Sequence, residues 1–259
     1  MAVTFRRVQR RQRLNQIASA VVDRGRLDVA ALAEQFDVSI ATVRRDLAVL
    51  EKQRLITRTR GGATTHASFN DMPLSYKTNE AMPEKRRIAR QALAFLDGAR
   101  VIGTTGGTTV SEFARLLMDR DNLTIVTNAL NIATHLVDNP RLRVLAAGGE
   151  LRSSSQETIG PSAESFMAHY NVDVAFLGVD GVDVDAGCTN YDPVGARVNS
   201  ALKDRARTTI VLADASKIGR IALAAVCRLD EVDVLITDDR APEDALAAIR
   251  ARGTEVYAV

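Results

Sequence analysis

Residues 38–51 read VSIATVRRDLAVLE, and this stretch decides the fold of the amino-terminal part of the chain. Ser39 is a suitable helix N-cap, because its hydroxyl can accept a hydrogen bond from a backbone N–H that has no partner inside the helix. The helix that follows, to about Gln53, has an apolar face and, opposite to it, a face of one arginine and two alanines. Val43, Leu47 and Leu50 form the apolar face, and Ala41, Arg45 and Ala48 form the opposite face. The pattern predicts a helix that packs on one side and is open to a partner on the other.

The segments on either side of this helix complete a larger module. Upstream, the spacing of apolar residues predicts one helix from about Arg6 to Asp23 and a second from Val29 to Phe36, with Asp28 as its N-cap. Downstream, residues 55–62 alternate β-prone and polar side chains and end on a glycine pair, which is typical of a hairpin. Three helices followed by a hairpin predict a winged helix-turn-helix.

The open face of the third helix suits the major groove of double-stranded DNA. Arginine can donate two hydrogen bonds to guanine O6 and N7, so Arg44 and Arg45 are candidates for base recognition. Hydroxyl groups and the cations of the hairpin suit phosphates better. The alternative is a solvated helix whose arginines pair with Asp46 and Glu51. The residues predicted to contact DNA are Ser39, Ala41, Thr42, Arg44, Arg45, Arg58 and Arg60.

Charge is divided unevenly along the chain. Residues 1–60 carry 13 Lys and Arg against 6 Asp and Glu, whereas the rest of the chain carries 21 against 26. A basic small domain beside an acidic large one suits a protein that binds a polyanion at one end only. A solvated basic face would give the same balance.

Residues 38–51, followed by RTRGGA at 58–63, resemble the helix-turn-helix signature of the DeoR family of sugar-metabolism repressors. Two residues depart from the family's pattern, since Arg54 stands where it usually has glycine and Arg60 where it often has histidine. Both departures add positive charge, which strengthens contacts to phosphates. Helix-turn-helix proteins usually bind as symmetric oligomers, so we expect a homodimer or homotetramer.

The remainder of the chain predicts a second domain of alternating strands and helices. Periodicity is lost after residue 62, so we assign 1–62 to the DNA-binding domain, 63–78 to a linker and 79–259 to an α/β domain. Short apolar runs separated by helices indicate an open, mostly parallel sheet covered on both faces. The predicted strands are 100–103, 123–127, 143–147, 172–178, 208–213, 232–237 and 255–259, and the predicted helices are 83–97, 108–118, 130–137, 161–170, 196–207 and 242–252.

Residues 101–110, VIGTTGGTTV, predict a strand, a glycine-rich turn with hydroxyls, and the start of a helix. Glycines let the backbone approach an anion closely, and the N–H groups of a first helical turn favour a phosphate there. The spacing is not GxGxxG and no Walker lysine follows, so a small phosphate fits better than a nucleotide. A tight turn that only packs a helix on a strand would give the same sequence.

Other predicted strands also end in polar or glycine residues, and in open α/β sheets ligands lie beyond the carboxyl ends of the strands. These segments resemble the C-terminal sensor of the DeoR family, which shares the fold of ribose-phosphate isomerases and CoA transferases. The resemblance implies that these loops surround a sugar-phosphate effector. Aspartates in loops often only form turns, and this is the alternative for Asp180 and Asp214. The predicted effector-binding residues are Thr104, Thr105, Gly106, Gly107, Thr108, Thr109, Thr127, Asn128, Gly148, Gly149, Asp180, Asp214 and Lys217.

The sensor segments depart from the family's pattern at two places. Thr104 stands where the family often has aspartate, and residues 195–199, GARVN, stand where many members have Glu-Ala-x-Val-Lys. At 195 and 199 an acid and a base are therefore missing, and with them the best candidates for the general base of an isomerase. We expect no enzyme activity and no catalytic residue.

Three functions fit the sequence. The favoured one is a repressor of a carbohydrate-metabolism operon controlled by a phosphorylated sugar. The others are a sugar-phosphate isomerase or transferase with an accessory DNA-binding domain, and a constitutive DNA-binding protein whose α/β domain only oligomerises.

The sequence also bears on cofactors and location. Cys188 and Cys227 have no CxxC spacing, so we expect neither a disulfide nor a metal site, and no cofactor. No stretch approaches the roughly 20 apolar residues of a membrane span, so we expect a cytoplasmic protein without a membrane partner.

Overall fold

The computed structural model describes residues 10, 13–18, 20, 21, 24–52, 55–65, 74 and 81–259. The chain divides into two compact units, Met1–Glu80 and Ala81–Val259, which we call the amino-terminal unit and the sheet unit. Of the predicted linker at 63–78, only residues 63–65 and 74 are among those described, so its extent stays a prediction.

The amino-terminal unit combines helices with a three-stranded antiparallel sheet. Its elements are α1 with residues 13–18, β1 (Arg26–Asp28), α2 (Val29–Gln35), α3 (Ile40–Lys52), β2 (Ile56–Thr59) and β3 (Gly62–Thr65). The strands pair in the order β1-β3-β2. Apolar side chains from the helices and the hairpin form one core, which includes Ile17, Leu32, Val43, Leu47 and Ile56. The prediction of a winged helix-turn-helix is confirmed.

Three details of this unit differ from the sequence prediction. Strand β1 was not expected, because three residues are too few to show an alternation. Strand β3 runs to Thr65, so the wing extends three residues past the predicted domain end at 62. Asp28 precedes α2, but its side chain accepts no hydrogen bond from that helix. The predicted first helix, Arg6–Asp23, lies only partly within the described residues.

The sheet unit is built on seven parallel strands. They are β4 (Val101–Thr104), β5 (Thr124–Thr127), β6 (Arg143–Ala146), β9 (Val172–Leu177), β12 (Ala206–Leu212), β14 (Val234–Thr237) and β15 (Glu255–Ala258). Their order in the sheet is β15-β14-β12-β9-β4-β5-β6. From β4 the chain therefore adds β5 and β6 on one side and then returns to add β9 and the later strands on the other. The point where the order reverses lies between β4 and β9.

Helices cover both faces of this sheet. Those on one face are α4 (Met82–Ala92), α5 (Thr108–Leu116) and α6 (Leu130–Leu136), and those on the other are α7 (Pro161–Ala168), α8 (Pro193–Lys203) and α9 (Glu243–Arg250). Each face has its own apolar core, and the rings of Phe113 and Phe176 lie 4.2 Å apart between α5 and β9. The prediction of an open, mostly parallel sheet covered on both faces is confirmed.

One predicted helix is displaced along the sequence. Helix α8 begins at Pro193, because Asp192 caps it by accepting a hydrogen bond from the Gly195 amide at 2.7 Å. It ends at Lys203, whereas the prediction extended the helix to residue 207. Ala206 already belongs to β12 and pairs with Val172 of β9.

Five short strands were not expected from the sequence. They are β7 (Glu150–Arg152), β8 (Glu157–Ile159), β10 (Gly181–Asp183), β11 (Gly187–Asn190) and β13 (Ala224–Cys227). Each follows the carboxyl end of a main strand, either β6, β9 or β12. They therefore enlarge the edge of the sheet where a ligand is expected.

Both cysteines lie in the interior of the sheet unit. Cys188 and Cys227 are buried free thiols that stand opposite each other on β11 and β13. Within the described ranges, no three or more His, Cys, Asp or Glu side chains are arranged to hold a metal ion. Among the helices that the structure describes, none has both the length and the apolar character needed to cross a membrane.

Candidate DNA interface and effector site

Helix α3 presents two different faces, as its sequence predicts. Val43, Leu47 and Leu50 are at most 1% exposed and lie in the core of the amino-terminal unit. On the other face, Ala41, Arg44, Arg45 and Ala48 are exposed, and Thr42 is half-buried. The exposed face therefore combines two cations with small side chains.

The acidic residues of α3 do not neutralise these arginines. Asp46 is buried, and its carboxylate accepts hydrogen bonds from Arg13 Nε at 2.8 Å and Arg10 Nε at 3.3 Å. Glu51 lies 3.6 Å from the Arg58 guanidinium. Arg44 and Arg45 form no ion pair with any described residue. The alternative in which α3 pairs its own charges is wrong, since Asp46 instead ties α3 to α1.

The other residues predicted to contact DNA lie at the start of α3 and in the wing. The Thr42 amide donates to Ser39 Oγ at 3.2 Å, and the two hydroxyl oxygens lie 2.9 Å apart, so Ser39 caps the helix. Arg60 is exposed at the turn between β2 and β3. Arg58 is also exposed, but Glu51 accepts a hydrogen bond from its amide and faces its guanidinium. Arg58 is thus partly neutralised, whereas Arg60 has no ion pair within the described part of the chain.

In the sheet unit, the predicted glycine-rich turn lies at the point where the strand order reverses. The Thr105 amide donates to Phe176 O at 3.2 Å, and the Gly178 amide donates to Thr105 Oγ1 at 2.9 Å. A Cβ atom on Gly178 would lie only 2.3 Å from Gly106 O. Gly107 has a φ of +115°, in a region that L side chains rarely adopt. The glycines therefore allow the backbones after β4 and β9 to touch.

A carboxylate that the sequence prediction did not include lies in this turn. Glu157 Oε1, at the start of β8, accepts hydrogen bonds from the Gly106 amide at 2.9 Å and from Asn128 Nδ2 at 3.3 Å. Burial raises the pKa of Glu157 above its usual value, and the negative charge of Asp180 adds to the rise, while the two hydrogen bonds oppose it. The backbone amide expected to hold a phosphate therefore already holds a carboxyl group of the protein.

Several buried polar atoms at the carboxyl edge of the sheet have no hydrogen-bond partner among the described residues. They are Thr104 Oγ1, Asn128 Oδ1, Asn199 Oδ1 and Thr237 Oγ1, on residues that are at most 2% exposed. Asn199 is held by its Nδ2 atom, which donates to Gly178 O at 3.3 Å. Buried polar atoms are rarely left unpaired, so the oxygens at this edge keep unused capacity to accept hydrogen bonds.

The other predicted effector residues lie at the same edge but have different roles. Thr127 Oγ1 accepts from the Ala129 amide at 3.0 Å, and Gly148 and Gly149 form the turn between β6 and β7. Asp180 Oδ2 accepts from the Tyr191 amide at 3.2 Å, so it shapes a loop. Thr108 and Thr109 begin α5, and Lys217 ends a short 3₁₀ helix after β12.

Asp214 and a buried lysine form an ion pair at the end of β12. Asp214 Oδ1 accepts from the Ser216 amide at 3.1 Å, and Oδ2 lies 3.7 Å from Lys85 Nζ of α4. Both side chains are nearly inaccessible. Asp214 was predicted as a hydroxyl acceptor, but its carboxylate already has these protein partners. The sequence prediction missed Lys85, since a lysine in an amphipathic helix usually lies on the solvent side.

Two domains of known families match this chain. Residues 13–69 match the DeoR-like helix-turn-helix domain, and residues 80–239 match the DeoR C-terminal sensor domain. The chain belongs to the DeoR family. The resemblance of residues 38–51 to the DeoR signature is thereby confirmed, and it extends over most of the chain.

Curated DeoR-family relatives cover nearly the whole chain. The putative aga operon transcriptional repressor of Escherichia coli O157:H7 is 33% identical over 253 residues, which are 96% of this chain and 93% of that protein. The glycerol-3-phosphate regulon repressor of Escherichia coli strain K12 is 33% identical over 238 residues, or 92% and 94% of the two chains. The regulator GlpR of Haloferax volcanii is 33% identical over 246 residues, or 95% and 96%.

Solved structures resemble part of this DeoR-family chain. A D-ribose-5-phosphate isomerase in complex with phospho-erythronic acid is 22% identical, covers 51% of this chain and 52% of its own, and gives a TM-score of 0.37. RipA from Yersinia pestis is 13% identical, covers 70% and 51%, and gives a TM-score of 0.42.

Two of the three departures from the DeoR pattern in the sheet unit lie beside the glycine-rich turn. Thr104 ends β4 with its hydroxyl buried, and Asn199 reaches Gly178 from α8. At the third, a Cβ on Gly195 would come 3.1 Å from Asp192 Oδ2, the atom that caps α8. The sequence identified Asn199 only as a missing lysine, whereas in the structure its side chain contacts Gly178 at the end of β9.

A shallow depression at the opposite end of the sheet is a weaker candidate site. It has a volume of about 330 Å³ and includes Asp173, Asp204 and Arg205 near the amino ends of β9 and β12. The amides of Arg100 and Val101 donate to Asp173 and lower its pKa, so this carboxylate already serves the protein backbone. Ligands of open α/β sheets bind at the other end of the strands.

Proposed function

We propose that this DeoR-family protein is a sequence-specific repressor of a carbohydrate-metabolism operon and that a phosphorylated sugar controls its binding to DNA. The observation that carries the proposal is the outer face of α3, where Arg44 and Arg45 are exposed and have no ion pair within the described residues. Such arginines are available to guanine edges in the major groove. The relatives named as repressors of the aga operon and the glycerol-3-phosphate regulon support the same function.

The proposed DNA contacts divide into two kinds. Arg44 and Arg45 read bases, and Ala41 allows the helix to approach the groove. Ser39, Thr42, Arg58 and Arg60 contact phosphates, with Arg58 weakened by its neighbour Glu51. The binding species is a homodimer or homotetramer on repeated or palindromic half-sites, and the protein acts in the cytoplasm.

The proposed effector site lies at the carboxyl ends of β4, β5 and β9. The turn formed by Thr104 to Thr109 binds the phosphate, and Thr127, Asn128, Gly148 and Gly149 line the sugar. Asp180, Asp214 and Lys217 extend the site along the same edge. The unpartnered oxygens of Asn128 and Asn199 support a ligand with several hydroxyl donors.

An enzymatic function has one supporting observation, which is the raised pKa of Glu157 in the turn. A general base must reach a substrate proton, and Glu157 Oε1 is instead bound by Gly106 and Asn128. We therefore infer a sensor rather than an isomerase. Recovery of each sugar phosphate unchanged after incubation with the protein, followed by NMR, tests this inference.

A paired binding experiment tests the proposed function. The full chain is mixed with the DNA upstream of its own gene in a mobility-shift assay, while a panel of sugar phosphates is screened by thermal shift. We expect one compound to stabilise the protein and to change its affinity for the DNA. Linkage requires that the DNA change the affinity for that compound by the same factor. A compound that binds without changing DNA affinity would contradict the proposed control, and saturable binding of none would favour the purely oligomerising alternative.

A further inference from the structure

The hairpin of β7 and β8 forms hydrogen bonds with the loop that follows β5. The Leu130 amide donates to Gln156 O at 2.8 Å, and the Thr158 amide donates to Asn128 O at 2.8 Å. These two bonds flank Glu157 and fix its backbone beside the start of α6. The side chain of Glu157 then crosses to the glycine-rich turn after β4, where it meets the Gly106 amide.

The contact between Glu157 and Gly106 fills the space that an anion would use. A Cβ atom on Gly106 would lie 2.5 Å from Glu157 Cδ, so the carboxylate sits directly on this part of the turn. Only one proton is available on the Gly106 amide, and Glu157 Oε1 accepts it at 2.9 Å. A phosphate oxygen can take that hydrogen bond only if the carboxylate gives it up.

Charge makes the competition stronger than geometry alone. When Glu157 is ionised, its carboxylate and a phosphate at the same amide repel each other, and the repulsion is large where water is excluded. Asp180 is a further negative charge near Glu157. On the neighbouring strand β7, Arg152 stands opposite Glu157 in the register, and its guanidinium lies 3.7 Å from Asp192 Oδ2.

We propose that Glu157 sets the selectivity of the effector site by competing with anions for the Gly106 amide, so that a bare phosphate binds weakly and a phosphorylated polyol binds well. The polyol offsets the loss of the Glu157 contact because its hydroxyls donate to the unpartnered Oδ1 atoms of Asn128 and Asn199. This inference rests on the proposed function, since it concerns the same site and ligand class. It adds that a carboxyl group of the protein itself occupies the place of the effector's phosphate.

The test uses inorganic phosphate as the probe and the full chain as the protein. Phosphate binding is measured at constant pH and ionic strength for the wild type, Glu157→Gln and Glu157→Ala. The glutamine keeps an oxygen for the Gly106 amide but removes the charge, and the alanine removes both. We expect each variant to bind phosphate roughly tenfold more tightly than the wild type, or better.

A matched control separates the competition from a general change of charge. Glu150 lies on the same hairpin and is exposed, so Glu150→Gln removes one negative charge without touching the turn. Its phosphate affinity should equal that of the wild type. Selective ¹⁵N labelling of glycine gives a direct readout, because the Gly106 amide resonance should shift in both Glu157 variants and shift again on addition of phosphate. Hydrogen exchange of β7 and β8 verifies that the variants keep the hairpin.

The outcomes distinguish this inference from the proposed function. Unchanged or weaker phosphate binding in both Glu157 variants would overturn the competition, and weaker binding would show that Glu157 holds the ligand. Phosphate binding by none of the proteins would also overturn it, because the released amide would then hold no anion. If the sugar-phosphate panel fails to affect DNA binding while the Glu157 variants gain phosphate affinity, the proposed control fails and the competition stands.

Discussion

The two units of the chain prepare for their ligands in opposite ways. In the amino-terminal unit, α3 exposes Arg44 and Arg45 without ion pairs to described residues, so the groups proposed to recognise DNA are already accessible. In the sheet unit, the turn after β4 is closed by Glu157, and Asp214 is paired with Lys85. The first surface depends on side chains that point outward, and the second depends on backbones in close contact. Mutations of the exposed arginines should therefore separate binding from folding, whereas mutations at the close backbone contact should affect both together.

The largest effect should come from Gly178→Ala in the sheet unit. The added Cβ would lie 2.3 Å from Gly106 O, a backbone atom that cannot move without displacing the turn. We expect the free energy of unfolding to fall by about 3 kcal/mol and the affinity for sugar phosphates to be lost with it. Calorimetric unfolding and ligand titration of the same variant measure the two quantities.

The matched control for this variant is Gly148→Ala, at the turn after β6. No heavy atom lies within 4 Å of the position that its Cβ would take, so the same added methyl group should leave stability nearly unchanged. Similar losses of stability in both variants would show that any added methyl group at this edge is destabilising. The contact between Gly106 and Gly178 would then have no special role.

The next effect, in the amino-terminal unit, tests whether α3 is held in place from its buried side. Asp46→Ala removes the carboxylate that binds Arg10 and Arg13, and it leaves two cations without their partner. Both arginines are partly exposed, so we expect a loss of about 2 kcal/mol, below the range for fully buried pairs. Hydrogen exchange of residues 24–65 in the full chain measures the loss locally.

Glu34→Ala is the control for Asp46→Ala, because Glu34 is an exposed carboxylate on α2 and has no ion pair with a described residue. It should change local stability by less than about 0.5 kcal/mol. Equal exchange in the two variants would mean that the Asp46 pairs do not hold α1 and α3 together.

The sequence predicted the fold of both units because the relevant signals are local. The apolar positions of α3 recur with the helical period, and the seven main strands are short apolar runs bounded by helices. The ends of these strands also identified the glycine-rich turn, since parallel strands bring their carboxyl ends to one edge. Boundaries such as the start of α8 were less well predicted, because a cap at Asp192 outweighed the apolar pattern.

The contents of the effector site were less predictable, for a physical reason. Glu157 reaches Gly106 across 51 residues, and its strand β8 has only three residues, too few for a periodic signal. In the sequence it is a single acid after the run RSSSQ, where a solvent-exposed loop is the ordinary interpretation. Lys85 was missed likewise, because only the tertiary structure brings it to Asp214.

Arg45→Ala should change the free energy of DNA binding by about as much as Asp46→Ala changes the free energy of unfolding. The side chain is exposed, so stability should stay within about 0.5 kcal/mol of the wild type. Specific operator binding should weaken by roughly 1–3 kcal/mol, as for the loss of a bidentate contact to guanine, while effector affinity is largely spared. A mobility shift at fixed salt, with and without nonspecific competitor DNA, measures specificity.

Arg207→Ala is the control for that variant, because Arg207 is an 82% exposed arginine of the sheet unit. It removes the same charge and should leave operator binding unchanged. If Arg45→Ala binds the operator as specifically as the wild type, α3 does not read bases through this residue, and the contrast between the two units loses its basis in recognition.

The smallest effect should come from Ser39, where one hydroxyl has both a structural and a proposed binding role. Ser39→Ala removes the acceptor for the Thr42 amide and should cost about 1 kcal/mol in the stability of α3. Ser39→Asp keeps a good N-cap and favours the positive end of the helix dipole, so stability should be retained. If Ser39 contacts a DNA phosphate, the aspartate should nevertheless weaken DNA binding more than the alanine, because it places a negative charge against the backbone. Local hydrogen exchange of α3 measured beside a salt-controlled mobility shift separates the two roles, and DNA affinity that merely followed helix stability in both variants would reduce Ser39 to a cap.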